Sequence, residues 1–197
     1  IIWKLVPSSN VSFVGITPQS CDLMTNSYGI PAAKIHMIPL GSDHKLYCPD
    51  ELDRVQFRKI LKLCESDVLV LNTGKIQKNK RLGVLVEAVC LARKTVRGLK
   101  MIQVGGGAKA DIQSLKAVIS ANGAEEFVVL QPAVYHRDLV RFFRAADICV
   151  WPGSVTISMI DAASTGAPLI VTRSEGVDYQ VSNNNAIVCR KSATSED

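Results

Sequence analysis

The chain has 197 residues, 47% hydrophobic and 21% charged. That size and balance suit one sizeable α/β domain with part of another, and exclude disorder outside a short polar end at 192–197. The net charge of +5 is spread over 23 basic residues with no basic run and 6% aromatics. This argues against a nucleic-acid protein and leaves a solvated surface, a phosphate-bearing ligand or an anionic membrane face to explain the surplus.

Val11 to Ile16 reads as a strand. Thr17-Pro18 then opens a helix, a capping hydroxyl followed by proline at the first helical position, and Gly29 closes it after Tyr28. A short strand, Ile35 to Ile38, leads through Pro39-Leu40-Gly41-Ser42-Asp43 to a polar helix at about Glu51 to Leu63. The chain starts at Ile1 in mid-pattern, and one strand pair cannot form a core. The first 66 residues are therefore expected to be the tail of a preceding domain plus a connecting segment, and the whole a fragment.

From residue 67 the pattern changes to a regular alternation. The predicted strands are Val68–Thr73, Leu99–Val104, Phe127–Gln131, Ile148–Trp151, Pro168–Thr172 and Ala186–Cys189. Between them apolar residues recur at helical spacing over Leu82–Val96 (ended by Gly98), Ala110–Ala121, His136–Ala146 and Ile157–Thr165, with one or two helical turns at Gly176–Val181. Strands apolar throughout, alternating with amphipathic helices, predict a doubly wound parallel sheet, Rossmann-like, over residues 67–190, followed by a polar tail at 191–197.

The six cysteines form no C-x-x-C pair, so neither zinc site nor thioredoxin motif is expected, and Cys90 and Cys149 read as small buried hydrophobes. Neither a metal cluster nor a cofactor is expected. No apolar run reaches membrane-spanning length, and the composition reads as that of a reducing, cytoplasmic compartment.

In a sheet ordered 3-2-1-4-5-6, ligands bind beyond the C-terminal strand ends where the order reverses. The loop after the first of these strands, Gly74 to Arg81, carries Lys75, Lys78, Lys80 and Arg81. The loop after the fourth, Pro152 to Thr156, is small and hydroxyl-rich and opens a helix, whose free N–H groups favour an anion. Cations on one side and free N–H groups on the other suit a phosphate; a solvated loop and simple helix capping are the plainer readings. Gly105-x-Gly107-x-x-Ala110 fits the dinucleotide fingerprint formally, but it follows the second strand, and the third ends in Gln131 rather than an acid. A tight turn that something approaches closely is the better reading.

These residues, in order, resemble the group-1 glycosyltransferases of GT-B fold, retaining enzymes that use nucleotide-sugar donors. The resemblance runs from about Val11 to Cys189. It rests on Tyr28-Gly29-Ile30-Pro31, Lys34-Ile35-His36, Ile38 to Asp43 with Tyr47 and Pro49, and Gly74-Lys75 with Lys80. It continues in Val104 to Gly107, Arg144 to Asp147 with Val150-Trp151-Pro152, and Asp161 to Pro168. The resemblance implies the C-terminal, donor-binding half of a GT-B fold, with residues 1–66 as the tail of the acceptor domain and the interdomain segment.

It also implies roles at matching positions. Lys75 and Lys80, with Thr156 and Ile157, would hold the donor diphosphate. Gly74, Gly106, Gly107, Gln131 and Asp161 would meet the nucleotide, Asp161 at the ribose and the Gln131–Val134 loop at the base. Gly153 and Ser154 would border the donor sugar. Lysine stands where the family usually has an arginine at 75, aspartate replaces glutamate at 161, and no acid occupies 153–155, where the first motif glutamate is expected. No catalytic residue is assigned, and His136 reads as a surface residue at a helix start.

The expected function is sugar transfer from a UDP- or GDP-sugar with retention, the fragment being inactive without its N-terminal acceptor-binding domain. Peripheral association with the inner face of a membrane is compatible with it. A non-catalytic nucleotide-sugar-binding or scaffold subunit, and an epimerase or phosphorylase of the same architecture, are the competing readings.

Overall fold

The structure, a computed structural model, describes residues 11–154, 156–173, 177, 181 and 184–190. Val155 and the tail at 191–197 lie outside them, as does the turn expected at Gly176–Val181 apart from Val177 and Val181. The chain forms two compact units, Ile1–Gly41 and Ser42–Asp197.

The first unit is a single β-α-β turn. Strand β1 (Phe13–Gly15) pairs in parallel with β2 (Ile35–Met37), and helix α1 (Pro18–Asn26) connects them. Thr17 and Ser20 form a reciprocal capping box, each side chain accepting from the other's backbone N–H, with Pro18 next to the cap. No residue of α1 is buried, and Val14, Leu23, Met37 and Ile38 are exposed.

The second unit opens with helix α2 (Glu51–Ile60), capped by Asp50, whose carboxylate accepts from the Asp53 N–H at 3.0 Å. It continues through β3 (Val68–Thr73), α3 (Leu82–Ala92), β4 (Leu99–Val104), α4 (Lys109–Ala121), β5 (Val128–Gln131), α5 (His136–Ala145), β6 (Ile148–Trp151), α6 (Ser158–Ser164), β7 (Leu169–Thr172) and β8 (Ala186–Cys189). The six strands are all parallel in the order β5-β4-β3-β6-β7-β8, the doubly wound order read from the sequence, with the reversal between β3 and β6.

Alternate residues of each strand serve opposite faces. Val70, Met101, Val128 and Val150 pack with Leu85, Val89, Leu115 and Ile119 of α3 and α4. Leu69, Leu71, Ile102, Cys149 and Trp151 pack with Phe57, Val140, Phe143 and Met159 of α2, α5 and α6.

Several elements are shorter than expected: β1 covers Phe13–Gly15 within Val11–Ile16, and α2 ends at Ile60, before Leu63. α3 stops at Ala92, short of Val96, and turns carry the chain through 93–97. Arg93 is the reason: its guanidinium donates to the Leu99 carbonyl at 2.6 Å and lies 4.3 Å over the Phe127 ring, drawing the chain across to β4. The compact units divide between Gly41 and Ser42. α2 belongs with the second unit because it packs on α5, where Phe57 meets Phe142 edge-on at 4.9 Å.

The α2–α5 contact is tied by arginines. Arg54 donates to the carbonyls of Arg144 and Ala146, each at 2.7 Å, and pairs with the Asp147 carboxylate. Arg58 donates to Ala145 O, Asp67 O and Asp147 Oδ2. Asp147 also accepts the Leu69 N–H at 2.7 Å. Burial alone would raise the Asp147 pKa; the Leu69 N–H and the two guanidiniums outweigh that and hold it below the ordinary carboxylate value. The Arg144-Ala-Ala-Asp147 motif is thus architectural.

Candidate functional site

Three loops meet beyond the C-terminal strand ends, backbone against backbone. A Cβ on Gly105 would sit 2.0 Å from the Gly74 carbonyl oxygen, and one on Gly107 would sit 2.3 Å from that of Ile76. A Cβ on Gly153 would sit 2.2 Å from the Asn79 carbonyl oxygen and 2.7 Å from the Lys80 backbone. Only glycine permits these approaches. What comes close to the glycine turn after β4 is therefore the protein's own β3 loop. Ile76 bridges Gly107 in parallel, and the Gly105 N–H donates to the Gln131 carbonyl at 3.0 Å, adding the end of β5 to the assembly. Gly74 and Gly106 face open space.

Buried polar groups underlie this seam. Trp151 Nε1 donates to Thr73 O at 3.0 Å, Thr172 Oγ1 to Pro152 O at 2.9 Å, and Gln103 Nε2 to Gly74 O at 2.9 Å. Gln103 is fully buried, and its Oε1 has no partner among the described residues; nor has Thr73 Oγ1. Reading β3 and β4 as plain apolar strands passes over these groups, although Asn72-Thr73 and Gln103 stand out there as polar residues at strand ends.

Of the residues singled out in the sequence, Gly74, Lys80, Gly107, Gln131, Gly153 and Ser154 lie on this seam. Lys80 reaches across from the β3 loop, its Nζ donating to the Ser154 carbonyl at 3.1 Å, while the Ser154 N–H donates back to Asn79 O at 3.3 Å. Withdrawal from water pushes the Lys80 pKa down. Lys75 and Lys78 are exposed, and their ammonium groups bond to none of the described residues. Thr156 and Ile157 precede α6; the Thr156 and Ser158 hydroxyls bond to each other, and the Thr156 N–H approaches Met159 Sδ at 3.5 Å.

Asp161 belongs to the first turn of α6, with its side chain 3% exposed and both oxygens engaged. Oδ1 accepts from Ser42 Oγ at 2.6 Å and Oδ2 meets His136 Nε2 at 2.9 Å. His136 is the first residue of α5 and largely exposed, as the sequence reading has it, but its ring is committed to Asp161. Tyr47, fully buried, donates its hydroxyl to the His136 carbonyl at 2.6 Å and accepts from Ser164 Oγ on its own carbonyl at 2.6 Å. Burial, then the charges of Asp161 and Asp43, push the Tyr47 hydroxyl up to about 12. Ser42 and Tyr47 lie in the segment noted from the sequence, without an assigned role.

Comparison with known proteins places this geometry. The chain is 26% identical over 181 residues to a D-inositol 3-phosphate glycosyltransferase of Xylanimonas cellulosilytica, covering 87% of this chain and 43% of that protein. It is 26% identical to the mannosylfructose-phosphate synthase of Agrobacterium fabrum, covering 86% and 39%. The chain thus spans about two fifths of the length of these curated relatives. Among solved structures, Anabaena HepE in complex with UDP superposes with a TM-score of 0.81 at 17% identity, covering 94% of this chain and 51% of that one. HepE has also been solved with UDP-glucose. The family model described as glycosyl transferases group 1 matches residues 67–196. With the doubly wound sheet and the interlocked loops, that match establishes that the chain belongs to the group 1 glycosyltransferases.

Proposed function

We propose that this chain is the donor-binding half of a glycosyltransferase that transfers a sugar from a UDP- or GDP-sugar with retention of configuration. Lys80 carries the reading. Its ammonium is drawn out of water between the two loops at the strand-order reversal, and its hydrogen-bond partner is a backbone carbonyl rather than a carboxylate. A diphosphate supplies the missing countercharge at the place where doubly wound sheets bind ligands.

In this reading Lys75 and Lys80 hold the donor diphosphate with the backbone at Thr156 and Ile157. Gly74, Gly106, Gly107 and Gln131 flank the nucleotide, with Asp161 at its ribose end, and Gly153 and Ser154 border the sugar. The chemistry asked of the site is stabilisation of negative charge on the departing diphosphate as an oxocarbenium-like sugar forms, which fixed cations and N–H groups provide. The likeness to HepE, solved with UDP and UDP-glucose, supports a uridine donor. Since the chain spans about two fifths of its curated relatives, acceptor binding is assigned to an N-terminal domain, and the chain alone binds donor without turnover. A cytoplasmic enzyme that associates peripherally with the inner membrane face belongs to the same proposal. Among the described residues no helix is long and apolar enough to cross a membrane.

Gly153 and Ser154 stand where the resemblance calls for the first motif glutamate. On that observation a non-catalytic nucleotide-sugar-binding subunit is the second reading. Calorimetric titration with UDP, GDP, ADP and NAD is expected to show UDP or GDP binding, weakened by Lys80→Ala. Binding of NAD alone, or of nothing, sinks both readings. Joining an acceptor domain then separates them, because only the enzyme gains transfer.

A further inference from the structure

We propose that the outer face of α2 pairs with the same face of a second copy of this chain, the two helices running antiparallel. The pairing uses no residue of the donor-site reading and stands or falls without it.

The two sides of α2 differ in character. One is spent within the chain: Phe57 meets Phe142 edge-on, and Arg54 and Arg58 bond to carbonyls at the end of α5 and to Asp147. At 3.6 residues per turn, Leu52, Val55, Gln56, Lys59 and Ile60 fall on the other side. There Leu52 is 77% exposed, Val55 43% and Ile60 62%. A single exposed apolar residue is ordinary. Three on one side of a ten-residue helix, whose other side is already packed, form a stripe that none of the described residues covers.

The charges along the stripe select its occupant. Glu51 stands in the first turn, Lys59 in the last, and Lys62 just beyond it. All three are exposed, and their charged groups bond to none of the described residues. This order complements the helix's own dipole, which accounts for the charges but not for the apolar residues between them. An anionic bilayer suits the lysines and opposes the acid. A reversed copy of the same helix suits both ends, because residues related by a twofold axis meet in reciprocal pairs. With the axis close to Val55, Glu51 of each copy faces Lys59 and Lys62 of the other, and Leu52 of each lies near Ile60 of the other.

The size of the face sets the strength of the pair. Stable interfaces take about 20–30 residues a side, and α2 offers one side of ten. The result is a weak dimer in exchange with monomer, and one that salt loosens, because exposed charges align it.

The test is sedimentation velocity on the 197-residue chain over a wide concentration series. The sedimentation coefficient is expected to rise with concentration, and to rise less in high salt. Val55→Asp, at an exposed position that folding tolerates, should abolish the rise. Glu51→Lys should weaken association about tenfold, and so should Lys59→Glu combined with Lys62→Glu. All three changes together exchange the signs and should restore association to within about threefold of the parent. A chain that stays monomeric throughout would overturn the proposal, as would a dimer that survives Val55→Asp and therefore forms elsewhere. Failure of the triple exchange to restore association would overturn the antiparallel arrangement. A monomeric chain that sediments with vesicles containing anionic lipid, and loses that capture in Val55→Asp, would overturn it too and give the stripe to a membrane.

Discussion

The arginines that join α2 to α5 and the lysines of the β3 loop are both clusters of cations, and they are built in opposite ways. Arg54, Arg58 and Arg144 are saturated: each guanidinium meets several acceptors, among them the carboxylates of Asp147 and Asp53. Arg144 also donates to Cys48 O at 2.8 Å and Leu46 O at 3.1 Å, and Arg141, paired with Asp53 at 2.9 Å, lies 4.4 Å over the Phe57 ring. The ammonium groups of Lys75 and Lys78 bond to none of the described residues, and that of Lys80 has a single carbonyl. Planar forks with five donors are spent on architecture, while the point charges are left for something else. Counting positive charges does not separate the two groups; counting acceptors per charge does.

The contrast can be broken most forcefully at Asp147. Its removal leaves Arg54, Arg58 and the Leu69 N–H short of an acceptor, and Asp147→Ala is expected to cost about 2–4 kcal/mol in urea or thermal unfolding. A loss near zero would mean the network is decoration. Lys80 should behave in the opposite sense. Lys80→Met removes a charge held away from water, so the unliganded chain should melt no lower than the parent, while diphosphate binding weakens about tenfold. If melting temperature and affinity fall together, Lys80 belongs with the arginines. Lys78→Ala serves as the control, changing diphosphate affinity by less than about threefold, as expected of a solvated charge.

The subtlest test uses pH. The Tyr47 hydroxyl is raised from 10 to about 12 on folding, so the neutral form is favoured in the native state. Its contribution is complete below pH 10 and is lost as pH rises through 12. Stability should therefore decline across that window, and Tyr47→Phe should flatten that part of the decline. An unchanged slope would show that the hydroxyl is not held as described.

Much of this was legible in the sequence, for identifiable reasons. Strands buried on both faces read as apolar runs, so β3, β4 and β6 are bounded as the pattern predicts, and the edge strand β8 is bounded as predicted too. The strand order and the meeting of Lys80 with Ser154 follow from the topology of doubly wound sheets. Pattern is silent about long-range side-chain geometry. The shortening of α3 depends on Arg93 finding Phe127, and the assignment of α2 depends on Phe57 finding Phe142. The hydrogen bonds of Asp161 to Ser42 and His136, 119 and 25 residues away in the chain, leave no trace in the pattern. His136 resembles any solvated helix start until its partner is known.

The three glycines that let the loops touch have a consequence for how this region can change over time. With Gly105 against Gly74, Gly107 against Ile76 and Gly153 against Asn79 and Lys80, the loops after β3, β4 and β6 share one interlocked surface. An insertion in any of them, or a side chain at any of these glycines, would push the other two out of place. The seam therefore has to change as a unit. Chimeras with other members of the family should exchange all three loops together, and diversification of what the site accepts should collect at its rim, where neighbouring backbones are not in contact.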